Sequence, residues 1–187
     1  APDLGLERRL AERVEHLVQG RSLNGRPAAL FTFLEGRQRM APSIADCAAV
    51  GALNARLHQA SSGFGPTRQN ALSVPGWRDL AAKCRNRADE AAPGLAALIE
   101  DELRYLEAAW PKHAPSGLIH ADLFPDNVFF DGEAITGVID FYFACTDMLA
   151  YDVAITHAAW CFSADGTVFD PAISAALLQG YTSVRPL

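Results

Sequence analysis

His120-Ala121-Asp122-Leu123-Phe124-Pro125-Asp126-Asn127, followed by Val138-Ile139-Asp140-Phe141, is the stretch on which the reading of this sequence turns. Asp122 and Asn127 stand in the order D-x-x-x-x-N, and Asp140 ends an apolar run further on. Taken singly, Asp122 and Asn127 suit turns, where short polar side chains bond their own backbone. Asp140 is harder to explain alone, because an acid closing an apolar strand needs a partner or a metal. His120 reads as a buried histidine that bonds the loop backbone. Asp126 reads as a turn cap, and Asp131 as part of a hairpin turn.

Composition bounds the alternatives. The chain has 187 residues, half of them hydrophobic and 20% charged, enough for a packed core and too apolar for disorder. The formal net charge is −6, so no basic excess is available to neutralise nucleic-acid phosphates. The densest basic group, Lys83, Arg85 and Arg87, reads as the solvated face of a helix. Cys47, Cys84, Cys145 and Cys161 show no C-x-x-C spacing, and are expected to be reduced thiols in a cytoplasmic protein. No signal peptide and no apolar run of membrane-spanning length is read, so neither nucleic acid nor membrane is an expected partner.

The organisation follows from periodicity. Leu6, Leu10, Val14 and Leu17 predict a first helix. Asn24-Gly25 predicts a hairpin turn leading into an apolar strand from Pro27 to Phe33, and Leu34-Glu35-Gly36 leaves it. Ser43 with Asp46 resembles a capping box ahead of a helix bearing Cys47, Val50, Asn54 and Leu57. Residues 61–75 read as a loop, Trp77 to Cys84 as a helix, and Leu95 to Leu106 as a longer one ending near Pro111. Val128-Phe129-Phe130, Asp131-Gly132 and Ile135 to Phe141 read as a β-hairpin. Helices return around Leu149 to His157 and after Asp170-Pro171. Residues 1–36 are expected to be the remnant of a small lobe with its hinge, and 37–187 a mostly helical large lobe.

H-x-D-x-x-x-x-N with a later I-D-F has the spacing of a kinase catalytic loop and its downstream D-F-G. In that arrangement the first Asp accepts a substrate hydroxyl proton, while the Asn and second Asp hold magnesium. The residue types fit the chemistry, since a transferring phosphoryl group spreads charge over its oxygens and magnesium takes hard oxygen ligands. A hairpin between Asn127 and Asp140 is a rigid means of setting them side by side. Asp152 falls on an apolar helix and so should be paired, in support of the catalytic loop. Asp147 precedes that helix, as an N-cap or as a partner for a substrate ammonium.

Ala121, in the place where protein kinases have Arg, resembles the aminoglycoside phosphotransferase and choline kinase superfamily. Longer strings resemble its homoserine kinases: Gly25 to Gly36, Asn70-Ala71-Leu72-Ser73-Val74-Pro75-Gly76-Trp77, Ser116 to Phe162, and the terminal Val184 to Leu187. The resemblance implies an α+β, protein-kinase-like fold with a mostly helical large lobe and an inserted β-hairpin. It implies transfer of the γ-phosphate of ATP, with Mg2+, to the hydroxyl of L-homoserine, giving the precursor of threonine. Asp122 matches the catalytic base, and Asn127 and Asp140 the metal ligands. Thr32, Leu34 and Glu35 match the hinge that meets adenine. Tyr142 and Trp77 are candidate pocket residues, with core packing as the alternative. Arg26, Arg37, Arg39 and Arg78 are candidate partners for a substrate carboxylate.

The chain also departs from that family. No Gly-rich phosphate loop precedes the hinge, and the first lysine is Lys83. The small lobe is therefore expected to be truncated and activity weak or absent. Another small-molecule kinase, acting on an aminoglycoside, choline or a sugar, and a non-catalytic kinase-fold fragment are the competing readings.

Overall fold

The computed structural model describes residues 21–28, 33–84, 87–163 and 165–187. The helix expected around Leu6 to Leu17, and the strand residues 29–32, lie outside them. Arg21–Leu23 (β1) and Arg26–Ala28 (β2) form an antiparallel hairpin. Asn24 and Gly25 both take positive φ, 52° and 75°, as a two-residue hairpin turn matching strand twist requires.

Helix α1 (Ile44–Ala60) begins with the capping box. Asp46 N donates to Ser43 Oγ (3.2 Å), and Ser43 N donates to Asp46 Oδ2 (2.9 Å). Its buried face carries Cys47, Val50, Gly51, Asn54, Ala55 and His58 at helical spacing. Helices α2 (Val74–Cys84), the single turn α3 (Ala88–Ala91) and α4 (Leu95–Ala109) follow. Strand β3 (Ser116–Ile119) leads into the catalytic-loop stretch, then the hairpin β4 (Val128–Asp131) and β5 (Ala134–Val138), strand β6 (Cys145–Met148), and helices α5 (Leu149–Trp160) and α6 (Pro171–Thr182).

Arg87 lies beyond the end of α2 at Cys84, not on one helix face with Lys83, and two features near the loop of residues 120–127 also depart from the pattern read in the sequence. Strand β5 ends at Val138, and Phe141–Phe143 forms a 3-10 turn instead of continuing the strand to Phe141. Strand β6, which the sequence did not signal, pairs antiparallel with β3, Ile119 opposite Cys145 and Ser116 opposite Met148. That pairing makes residues 120–144, loop and hairpin together, one excursion from the same end of the β3–β6 ladder.

The core gathers Cys47, Val50 and Leu53 of α1, Leu123, Val128 and Phe130 around the loop and hairpin, and Trp160 and Leu177 of α5 and α6. All four cysteines are free. Burial pushes the Cys47 thiol up to about 12 and Cys161 up to about 11, so both stay protonated and act as small apolar groups. Among the described residues no helix is long and apolar enough to cross a membrane.

Helices α1 and α6 meet through glycine. A Cβ on Gly51 would lie 1.9 Å from Leu177 O, and one on Gly180 would lie 2.0 Å from Ala48 O. Both obstacles are backbone, which cannot rotate away. Gly51→Ala is expected to destabilise the fold by about 1–3 kcal/mol or more, the scale of core overpacking. Gly65→Ala, in open space, serves as the control and should stay within ~0.5 kcal/mol in urea denaturation.

Candidate active site

The loop of residues 120–127 hangs from one buried carboxylate. Asp152, on the first turn of α5, has no solvent exposure. Its Oδ1 accepts from Ala121 N (2.7 Å) and its Oδ2 from His120 N (3.3 Å). Oδ2 also meets His58 Nε2 at 2.9 Å, and His58 Nδ1 meets Tyr181 Oη at 2.9 Å. Arg185 donates to the same Tyr181 oxygen (3.1 Å). A His58 ring carrying its proton on Nε2 satisfies both neighbours, with Tyr181 donating to Nδ1. Ala121 is thereby held at φ 63°, a left-handed conformation that costs a non-glycine residue roughly 1–2 kcal/mol.

The loop is pinned at two further points. Trp160 Nε1 donates to Leu123 O at 2.7 Å. His120, buried, takes Asp122 N on Nδ1 (3.2 Å) and so presents an Nε2 proton to Ile139 O (3.0 Å). That bond ties the loop to the residue preceding Asp140.

Asn127, also buried, closes the short turn Pro125–Asn127. Its Nδ2 donates to Asp122 O (2.8 Å) and to Asp122 Oδ2 (3.2 Å), while its backbone oxygen accepts from Ile139 N (3.0 Å). Asp140 sits just past β5, exposed, at φ 62° and ψ 56°. Its Oδ1 accepts from Tyr142 N (3.4 Å), the local bond that lets Asp adopt this region. Desolvation chiefly, and then the negative charge of Asp140, push the Asp122 carboxyl above its ordinary value. The bonds of Ile139 to Asn127 and His120 bring Asp140 to the same end of the hairpin as Asp122 and Asn127.

The other sequence candidates have various placements. Leu34 packs its side chain where a Cβ on Gly137 would sit, 2.5 Å from Leu34 Cδ1. Glu35 O accepts from Thr136 Oγ1 (2.6 Å), and Arg37 pairs by backbone with Phe130 (2.8 and 2.9 Å). The segment from Leu34 to Arg37 is thus stitched onto the β4–β5 hairpin. Thr32 lies outside the described residues. Asp147, on β6, accepts from Asn70 Nδ2 (2.7 Å) and from Met148 N (2.7 Å). Trp77 packs edge-on against Trp110 and Tyr151, with ring centroids 5.5 and 6.1 Å away. Tyr142 is exposed, beneath the Arg68 guanidinium at 5.9 Å. Arg78 pairs with Glu100 and Glu107, and Arg39 lies over the Phe130 ring near Asp46. Both are occupied within the fold.

Two residues were not singled out by the sequence. His58 carried a faint signal, a polar residue following Asn54 at i+4 on an apolar helix face. Arg68 carried none, because its position depends on a bridge between Gln69 and Thr146.

A helical lobe whose inserted hairpin sets an Asp, an Asn and a second Asp at one edge is the large lobe of a kinase-fold phosphotransferase. Residues 7–187 match the phosphotransferase enzyme family APH, and the chain belongs to it. A homoserine kinase of Rhizobium etli (strain CIAT 652) is 55% identical over 166 residues, 89% of this chain and 51% of the relative. One from Rhizobium rhizogenes (strain K84 / ATCC BAA-868) is 52% identical over 184 residues, 98% of this chain and 55% of the relative. The chain spans about half the length of these curated relatives. Among solved structures, an aminoglycoside-3'-phosphotransferase of type VIII superposes with a TM-score of 0.69 at 26% identity, covering 96% of this chain and 72% of the other. A spectinomycin phosphotransferase shares the fold, with a TM-score of 0.65 at 12% identity, over 97% of this chain and 64% of the other.

Two outcomes follow from this geometry. Asp152→Ala leaves His58 and two loop N–H groups without their acceptor, at a cost of about 3–5 kcal/mol in denaturant unfolding. Asp140→Asn removes a negative neighbour, so the Asp122 carboxyl should titrate lower by carbon-detected NMR. It should stay above its ordinary value, because burial is the larger cause.

Proposed function

We propose that this chain carries the acceptor-activating and metal-holding part of an ATP-dependent kinase that phosphorylates the hydroxyl of L-homoserine. The observation that carries the reading is 55% identity to a homoserine kinase along 89% of the chain. The convergence of Asp122, Asn127 and Asp140 supports it on chemical grounds. The similarity to an aminoglycoside phosphotransferase is about half as strong in identity, 26%.

In this reading Asp122 orients the acceptor hydroxyl and receives its proton as the new oxygen–phosphorus bond forms and the γ-phosphorus bond to the leaving ADP breaks. Its partly desolvated carboxylate is a better base than a fully hydrated one. Asn127 Nδ2, bonded to Asp122 Oδ2, fixes the rotamer of that carboxylate. The same bonds turn the Asn127 amide oxygen away from Asp122. That oxygen and the Asp140 carboxylate are the groups that would hold magnesium. Among the described residues no three His, Cys, Asp or Glu side chains gather as a metal cage. One amide oxygen and one carboxylate nevertheless suit magnesium, which keeps waters and substrate phosphates as ligands. When bound, the ion neutralises charge on the transferring phosphoryl group. Thr32, Leu34 and Glu35 are proposed to offer the hinge backbone to adenine. Phosphorylation would give O-phospho-L-homoserine, the precursor of threonine.

The test is phosphorus NMR of the complete protein with MgATP and L-homoserine. Appearance of the phosphate monoester is the expected result. Turnover of an aminoglycoside, choline or a sugar in its place would assign the site to another kinase of the family. Absence of magnesium-dependent ATP binding by isothermal titration would favour a non-catalytic fragment.

Asp122→Asn is expected to lower turnover about 10²–10⁴-fold, the scale of a positioned base. The fold should not suffer. The folded-state pKa of Asp122 is raised, so its ionised form at neutral pH is a cost that protonation relieves. Stability from this group is thus present at low pH and lost as pH rises through the raised value. The uncharged Asn should leave Tm equal or higher at pH 7. Asp140→Ala should weaken MgATP binding and reduce its magnesium dependence in the same titration.

A further inference from the structure

The site described so far is negative on the acceptor side. The negative charges of Asp140 and Asp126 both act on Asp122, and the proposed reaction brings a triphosphate to the same carboxylates. An acceptor that itself carries a carboxylate would be repelled from such a site unless a fixed cation met it. Arg39 and Arg78, two of the arginines the sequence suggested, are occupied elsewhere.

Arg68 is differently placed. It is exposed and precedes α2 in the chain, yet it is fastened to the segment that follows Asp140. Thr146 N donates to Arg68 O at 2.7 Å, Arg68 N approaches Thr146 Oγ1 at 3.3 Å, and Gln69 bridges Thr146 in parallel. Its Nη1 donates to Tyr142 O (2.5 Å) and Ala144 O (3.4 Å), and its plane lies over the Tyr142 ring. Both bonds use one terminal nitrogen. Among the described residues the edge formed by Nε and Nη2 has no partner, and that edge is the fork that grips a carboxylate with two parallel bonds.

The surroundings fit a small amphipathic acceptor. Phe141, Tyr142 and Phe143, directly after Asp140, are 49%, 73% and 40% exposed, and Phe124, beside Asp122, is 42% exposed. Phe141 to Phe143 form an exposed aromatic wall next to Asp140, with the Arg68 guanidinium set over Tyr142, and Phe124 adds apolar surface beside Asp122. Such a wall covers a short aliphatic chain, while the guanidinium takes the charge at its far end.

We propose that Arg68 binds the carboxylate of the acceptor and thereby selects hydroxy-amino acids over amino alcohols that lack it. The proposal rests on the homoserine reading of the same site. Arg68 is a specificity residue and takes no part in proton or phosphoryl transfer.

The test compares L-homoserine with 3-amino-1-propanol, which has the same chain and lacks only the carboxylate, in the complete protein. The wild type should strongly prefer L-homoserine. Arg68→Met should raise KM for L-homoserine about 10- to 100-fold, the worth of a charge-assisted hydrogen-bonded pair. The kcat, the KM for MgATP and the kinetics on 3-amino-1-propanol should change only a few-fold, and Arg68→Lys should recover part of the lost affinity. An Arg68→Met enzyme that loses kcat on both alcohols equally would mean that Arg68 only orders residues 142–144, and would overturn the proposal. So would an unchanged KM for L-homoserine, or a wild type that accepts both alcohols equally. A wild type inert towards L-homoserine would overturn the homoserine reading itself, and Arg68's role with it.

Discussion

The bonds from Asp152 to the backbone of His120 and Ala121 are the constraint on which the site depends. A carboxylate without solvent exposure is tolerable only when its oxygens are filled, and here they are filled by two loop N–H groups and His58. The demand runs both ways. The loop gives the acid its partners, and the acid holds Ala121 in a conformation it would not adopt alone. The network continues through His58 to Tyr181 and Arg185, so helices α1, α5 and α6 all bear on the position of Asp122. The glycine contacts that let α1 and α6 approach closely thus contribute to the site as well as to the core.

A second constraint sets the distance between the groups. The β4–β5 hairpin begins next to Asn127 and returns to Asp140, with Val128 opposite Val138. Ile139 is gripped from both sides, by His120 Nε2 on its oxygen and by Asn127 O on its nitrogen. Asp140 then turns out of the strand in the left-handed region, which directs its carboxylate away from the ladder. The early end of β5 follows from this. A strand continued to Phe141 would have kept Asp140 in the pleat, whereas Phe141–Phe143 turns as a 3-10 segment with its side chains exposed.

The candidate site residues were legible in the sequence because the patterns that mark them are local. A D-x-x-x-x-N spacing, an apolar run ending in Asp, a capping box at Ser43 and an Asn24-Gly25 turn each draw on neighbours a few positions away. The same holds for the helices, whose apolar residues recur at helical spacing. Asp152 was legible as an acid in need of a partner, since it stands on an apolar helix face. His58, its partner, lies 94 positions earlier, and nothing local marks the two as a pair.

The sequence by itself thus determined the kinase-like fold, the hairpin between Asn127 and Asp140, and the choice of Asp122, Asn127 and Asp140 as candidate site residues. The helices and the hairpin follow from periodicity and turn chemistry, which short-range sterics and hydrogen bonding dictate, and the kinase-like fold and candidate residues from motif spacing and family resemblance. Only the tertiary structure decided the pairing of β3 with β6, the joining of Asp152 to His58, the enclosure of Trp77 among aromatics, and the seating of Arg68 beside the segment after Asp140. Each depends on chain segments far apart in sequence. Their meeting is fixed by how the helices bury their faces, a property of the whole packing that no window of residues contains.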